Sequence, residues 1–576
     1  MSLKPSQIET IYLANLTRKS GDATFYDSGT MLWEFPFKFS KFVNKIQLIH
    51  VNTSYRADES SAIHKSIENN FSNSIVSIGS IVSAPHPETG EILINANEIF
   101  VKDLTYVSER KRGNYKFDKN NSYVSDLQSY PKNTEIQILS HFVSSKRNSS
   151  PTIPNSHSMM HTYHLSLSSI VENDFMPRVS DDRVGYFTSM HQDYSNTLEQ
   201  DPYVRYINRW NLKKSEPHKK YSEPIEPIVF WLENTIPVEF RAAVEKGILA
   251  WNKAFERVGY LNAIVVKQMP DDADWDPADV RYNTIRWFIQ PGSGYAVGPS
   301  RANPYTGELY DADVRISADF VTSFFSEFDE FVQPVTADEI NKLWQSDTSN
   351  EINNPNYTCN YSVRLKQQMS LGWHSMITQG IIDGTDEELL DFVYKGLVDL
   401  VLHEVGHTLG LRHNFKASSI FSIEQLSNKQ FTEKYGISGS VMDYHPVNLL
   451  DNGHTMFQTH PGPYDDWAIE YGYTTGNTDD VLAKAHLPEH AYLTDDDTTG
   501  PDPLAKRYDF SKDPLTYAEN QMRIVNKLRP DILSDYMKDG DSWSKARRGY
   551  ETTLRMQVSA ASMLADWIGE MCGIYT

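Results

Sequence analysis

Cysteine is almost absent from this chain: Cys359 and Cys572 are the two in 576 residues. A disulfide framework and a cysteine-ligated zinc site are both excluded. Long apolar runs are missing as well. No stretch reaches the roughly 18 residues that a membrane-crossing helix needs. The opening "MSLKPSQIETIYLANL" has no hydrophobic region of a secretion signal. Positive charge is in short supply: 54 Lys and Arg stand against 76 Asp and Glu, a net charge of −22. A chain this acidic is a poor partner for nucleic acid or for an anionic membrane. What it does have is 39% hydrophobic and 12% aromatic residues, enough to build cores, so it is not a disordered protein. Its length calls for about two to four domains.

Residues 1–150 read as a β-rich N-terminal domain. "NKIQLIHV" (Asn44 to Val51), "EILINANEIFV" (Glu91 to Val101) and "EIQILSHFV" (Glu135 to Val143) are alternating or apolar segments rich in Ile and Val. The polar, proline-marked "SSKRNSSPTIPNS" suggests a boundary, and 151–222 reads as an irregular connecting segment. From 223 to 480 the pattern sharpens. "IVFWL" predicts a strand, followed by a helix with Pro237 at its first position. Phe240, Val244, Ile248, Trp251 and Phe255 recur at helical spacing up to a stop at Gly259. "AIVVKQ" is a second strand, so a right-handed parallel crossover is expected. "RYNTIRWFI" and "ELYDADVRIS" add two more strands. Residues 481–576 read as a mainly helical C-terminal subdomain. The chain ends at "GIYT" while still helical in pattern, so a shortened form of a longer protein is expected.

The densest chemistry lies in "VLHEVGHTLGLRHNF", Val401 to Phe415. The helix that carries it starts at Thr385, a predicted N-cap with Glu388 in capping-box position. It is apolar from Leu389 to Leu409 and therefore largely buried, where ionisable groups need a reason. His403 and His407 share one helical face, about 6 Å apart in rise. Glu404 projects to the flank of that pair, within reach of a water at a metal. On a continued helix His413 would turn roughly 240° away from His407. Gly410 resolves this, because glycine can end the helix in a left-handed conformation and bring His413 back.

The run HExxHxxGxxH, here "HEVGHTLGLRH", resembles the zinc signature of the metzincin metallopeptidases. "SGSVMDYHP" is similar to their methionine turn, with Met442 as an apolar floor under the imidazoles and Tyr444 near the metal. "PIVFWLENTIPVEFRAAVEKGILAWNKAFERVGYLNAIVVKQ", "GPSRANPYTGELYDADVRIS" and "PGPYDDWAIEYGY" resemble the large bacterial Met-zincin peptidases. "FKFSKFVNKIQLIHVNTSYRA" resembles their preceding β-rich domain. Residues 228–317 read as an α/β sheet with a backing helix, and the resemblance implies an α+β or α/β fold in which a metzincin catalytic domain follows a β-rich N-terminal domain. That catalytic domain would comprise a twisted mixed sheet, a backing helix, an active-site helix, a Met-turn and a helical C-terminal subdomain. It implies a secreted or periplasmic bacterial location. It also implies Zn2+ on His403, His407 and His413, with a peptide or protein substrate lying along an edge strand near Gly294 to Arg301. Backbone groups of Ala296, Val297 and Gly298 would bind that substrate.

Three neutral imidazoles leave zinc with an open, catalytic position. The expected chemistry is endopeptidase hydrolysis, with Glu404 as general base and Tyr444 steadying the oxyanion. An alternative is a latent or inactive metzincin that acts as a protein-binding or envelope-associated module. Glu404 weighs against it, since a purely structural site has no use for a base beside an open position. A third possibility is that residues 1–150 block the cleft as a pro-segment. Cys359 as a zinc-capping thiolate, a second metal on His374, His445, His454 and His460, and calcium in "DDADWDPAD" (Asp271 to Asp279) are all disfavoured. A plain thiol, surface or loop histidines and a solvated acidic loop are expected instead.

Overall fold

The computed structural model describes residues 1–22, 27–109, 114–130, 133–146, 152–170, 173–196, 198, 200–290, 295–325, 361–378, 382–450, 455–533, 540 and 543–568. Cys359, Cys572, Gly294, His454 and the side chain of His374 lie outside what is described.

The N-terminal part is built on an antiparallel sheet. Its strands run in the order Ser74–Ser80, Lys45–His50, Met31–Phe42, Ile11–Gly21, Ser158–Ser169, Asn133–Val143 and Lys116–Phe117, with Tyr123–Ser129 also on Asn133–Val143. Alternation drives it: Leu16, Phe37, Ile46, Ile136, Ile138 and Leu165 point into one shared core. Two expectations are corrected. The strand Ser158–Ser169 lies in the middle of this sheet, paired with both Asn133–Val143 and Ile11–Gly21. The β-rich part therefore runs past the expected limit at 150. The segment Glu91 to Val101, expected as a strand, keeps only Ile92–Leu93 extended and then coils into the helix Ala96–Phe100. That helix buries Ile99 and Phe100 against the sheet, and the Ile99 side chain fills the space beside Gly79. Tertiary burial overrides the β-branched local pattern.

The central sheet runs Ile264–Gln268, Ile228–Leu232, Asn283–Phe288, Leu309–Ser317 and Ala296–Val297. The first four are parallel, and Ala296–Val297 is an antiparallel edge. The expected strand–helix–strand unit is present. Its helix forms in two pieces, Val238–Leu249 and Asn252–Arg257, with Pro237 one place earlier than expected, as the cap. All five apolar positions from Phe240 to Phe255 are buried. Trp251 Nε1 donates to Leu402 O at 2.9 Å, tying this helix to the helix Asp386–Thr408.

Alternation along Leu309–Ser317 separates two interfaces. Ala312, Val314 and Ile316 enter the core with the helices. Asp311 and Arg315 serve the other face, where the N-terminal part docks. Arg315 pairs with Asp27. Arg301 bridges Asp311 at 2.9 Å and Thr17 Oγ1 at 2.8 Å. Lys19 pairs with Asp276. The acidic loop Asp271 to Asp279 is thus not merely solvated: Asp276 serves this interface, and Asp279 is buried against Arg281. Buried ion pairs are costly to separate, so the N-terminal part is built into the fold, on the sheet face away from the helix Asp386–Thr408.

The C-terminal part contains the helices Pro463–Tyr473, Pro514–Asp531 and Trp543–Asp566. The segment after 481, expected as a mainly helical C-terminal subdomain, reaches back to the histidines. Phe415 N donates to Leu493 O (2.7 Å), Lys506 N to Phe415 O (3.2 Å) and Tyr508 N to Tyr444 O (2.8 Å). Residues 493–508 therefore line the histidine site. No described helix is long and apolar enough to cross a membrane.

Candidate metal centre

The helix Asp386–Thr408 begins as the sequence predicts. Thr385 and Glu388 form a reciprocal capping box, and Asp386, Glu387 and Glu388 occupy its first turn, the positive end of the helix dipole. Its last turns are buried on all sides. Gly410 ends it with φ +98°, and a Cβ there would strike the carbonyl oxygen of Asn208. The chain reverses, and His413 returns to the face of His403 and His407.

The ligand-capable nitrogens of the three histidines lie within 4.8 Å of one another, and Nε2 of His407 is 3.1 Å from Nε2 of His413. Each ring is held from behind at Nδ1. His403 reaches Val441 O at 2.6 Å and His407 reaches Leu411 O at 2.8 Å. His413 faces both oxygens of Asp495 at 3.0 Å. Carbonyls and carboxylates only accept, so the proton belongs on each Nδ1 and the Nε2 lone pairs are left to converge. Burial pushes His403 well below its ordinary pKa, and the neighbouring His407 and His413 add to this. Burial and then His413 lower His407 to about 3. Neutral imidazoles are what a zinc ion at about 2.0–2.1 Å from each nitrogen requires, and the donor set fits that ion.

The surroundings are aromatic and tightly packed. Glu404 is fully buried. The Tyr444 ring lies 4.7 Å from His413 and 5.6 Å from His403. Met442 is buried under the helix, its sulfur against Gly406, where a Cβ would collide with it. The turn that carries Met442 is pinned from Pro463–Tyr473: Asp465 accepts from Ser440 Oγ, from Val441 N at 2.8 Å and from Gly462 N at 2.7 Å. Asp465 thus holds the residue whose carbonyl holds His403.

Residues 385–575 match the family described as Met-zincin, and residues 29–215 match a domain family described as "Domain of unknown function (DUF5117)". The chain contains a metzincin-type region. No curated protein and no solved structure matches it.

The edge strand Ala296–Val297, which precedes the Met-zincin match, sits beside the histidine helix. Gly298 packs on the Glu404 carbonyl. Ala296 and Val297 are buried, and Ala296 N donates to Ser362 Oγ at 2.9 Å. The backbone donor expected to meet a peptide is engaged by the helix Tyr361–Thr378. His445, expected on the surface or in a loop, is fully buried 3.4 Å from Asp399, with the Tyr361 hydroxyl bonded to Asp399 at 3.1 Å. Burial alone would lower the His445 pKa; the Asp399 carboxylate outweighs it and raises it. His460 Nδ1 is satisfied locally by Pro461 O. Among the described residues, His403, His407 and His413 form the one grouping of three or more such side chains close enough for a metal.

Sequence reasoning missed Asp495, Arg507, Asp465 and Ser362. None belongs to the local histidine pattern. Asp495 stands 82 residues beyond His413, in the acidic run "TDDDTTG", which reads as a solvated loop.

Proposed function

We propose that this chain is a zinc-dependent endopeptidase. The supporting observation is the convergence of three Nε2 atoms whose Nδ1 atoms are all committed to acceptors, with Glu404 one residue from the first ligand. His403, His407 and His413 would hold the ion. The chemistry that a bound zinc would supply there is polarisation of the scissile carbonyl and a water that is a better nucleophile at neutral pH. Glu404 takes the proton from the attacking water and delivers it to the departing amine. The Tyr444 hydroxyl donates to the oxygen on which charge develops. The edge at Ala296, Val297 and Gly298 aligns an extended peptide, and Met442 is the floor of the site. The twisted mixed sheet with its active-site helix and Met-turn is then a metzincin catalytic domain. The resemblance to bacterial Met-zincins further suggests a secreted or periplasmic enzyme that acts on protein.

A second reading is a latent metzincin or a protein-binding module. It is favoured by the occupied edge, where the Ala296 N–H is buried against Ser362.

The experiment is paired: metal content, then cleavage of a random peptide library, for wild type and Glu404→Ala. One zinc per chain in both, with cleavage by wild type alone, is the expected result. Zinc in both with cleavage by neither favours the latent reading. Loss of zinc from the Glu404 variant would mean that Glu404 is not a general base.

A further inference from the structure

The three histidines are not supported equally. His403 and His407 stand on a regular helix and lean on neutral carbonyls. His413 stands beyond Gly410, in a loop, where no helix orients its ring. This ligand off the helix has the strongest partner, a carboxylate with both oxygens 3.0 Å from Nδ1. Arg507 holds that carboxylate in turn: its Nη2 lies 3.2 Å from Asp495 Oδ1, and its side chain is almost fully buried. The same guanidinium lies over the Phe415 ring at 4.8 Å and the Tyr444 ring at 5.6 Å. Thr494 Oγ1 donates to Asp495 Oδ2 at 3.4 Å, and Phe415 N to Leu493 O fixes the loop that carries both.

We propose that Asp495 and Arg507 are a positioning pair for the third metal ligand, supplied by the segment after the Met-turn. The proposal rests on the zinc reading of the site, though not on peptidase activity. Asp495 locks the His413 proton on Nδ1 and makes Nε2 a better donor, in the manner of a carboxylate–histidine–zinc arrangement. It is not itself a ligand, because both of its oxygens face the side of the ring opposite Nε2. Arg507 orients the carboxylate, balances its charge and carries the same constraint to the Tyr444 wall.

The test uses the full chain and reads zinc affinity by competition with a chelator of known strength. The variants are Asp495→Asn, Asp495→Ala and Arg507→Met. Asp495→Ala is expected to bind zinc about 10- to 100-fold more weakly. Asp495→Asn, which keeps an acceptor but loses the charge, should fall between it and wild type. Arg507→Met should weaken zinc by a smaller factor. The visible spectrum of the cobalt(II)-loaded protein should shift in Asp495→Asn while the thermal midpoint of the metal-free protein stays at the wild-type value. That separates positioning of a ligand from loss of fold. Wild-type zinc affinity in both Asp495 variants, or weakened affinity only in step with a lowered metal-free midpoint, overturns the proposal. A wild type that binds zinc yet cleaves nothing would sink the peptidase reading and leave this one standing. A wild type that binds no zinc would sink both.

Discussion

Gly298 lies directly against the backbone carbonyl of Glu404, so close that a Cβ at 298 would overlap the oxygen. The edge strand and the histidine helix thus meet backbone to backbone. Neither side can yield by turning a side chain.

Gly298→Ala is therefore expected to destabilise the protein by about 1–3 kcal/mol, the usual cost of overpacking, and to displace Glu404 from the histidines. Denaturant unfolding checks the first effect, and zinc content separates it from loss of the metal.

Gly406 and Met442 should behave as a coupled pair. A Cβ at Gly406 would collide with the Met442 sulfur, and the Trp251 ring lies on the same side. Gly406→Ala alone is expected to lower stability clearly. Combined with Met442→Ala, the added loss should be smaller than the sum of the two single changes by about 0.5–3 kcal/mol. An additive double-mutant cycle would mean that the methionine does not set the height of the helix.

Ser362 occupies the donor that an extended substrate needs. Ser362→Ala frees the Ala296 N–H, and a peptidomimetic that pairs with the edge strand should then bind more tightly. One released hydrogen bond, worth about 0.5–1.5 kcal/mol, corresponds to roughly a 2- to 10-fold gain in affinity. Unchanged affinity would mean that the peptide enters by another route.

The pH dependence of stability has an identifiable source beneath the Met-turn. Ser418 bridges two buried carboxyls, its N–H donating to Asp443 at 2.7 Å and its hydroxyl to Asp509 at 2.9 Å. Burial pushes both up, Asp509 to about 8, and the Asp509 charge adds to the rise at Asp443. The unfolded chain releases the Asp509 proton near its ordinary 3.8, whereas the folded protein keeps it. Between those values the folded state binds more protons, so stability falls as pH rises. Asp509→Asn should match wild type near pH 4 and exceed it near pH 8. Thermal midpoints across that range decide it; parallel curves for the two proteins would rule out this source.

The candidate metal site divides between local and distant determinants. His403, Glu404, His407, Gly410 and His413 are legible in the sequence because helical periodicity and one glycine reversal place them, and both are properties of neighbouring residues. The capping box at Thr385 and the buried apolar positions from Phe240 to Phe255 are legible for the same reason. The fate of Glu91 to Val101 was not, because packing of Ile99 and Phe100 against a sheet completed later in the chain outweighs their strand propensity.

What the tertiary structure alone decided is which groups stand behind the three histidines and how far the N-terminal sheet extends. Val441, Asp465, Asp495, Arg507 and Ser362 reach the site across long stretches of chain, and no spacing rule links them to the histidines. The strand Ser158–Ser169 joins the N-terminal sheet by pairing with Ile11–Gly21, and residues 493–508 join the histidine site by pairing with Phe415 and Tyr444. By itself, the sequence determined the identity of the three histidines and the reversal at Gly410, because one helix and one turn carry that information. The orientation of each ring, the burial of the edge at Ala296 and the joining of the domains are set by hydrogen bonds and ion pairs between distant segments, which exist only once the chain has folded.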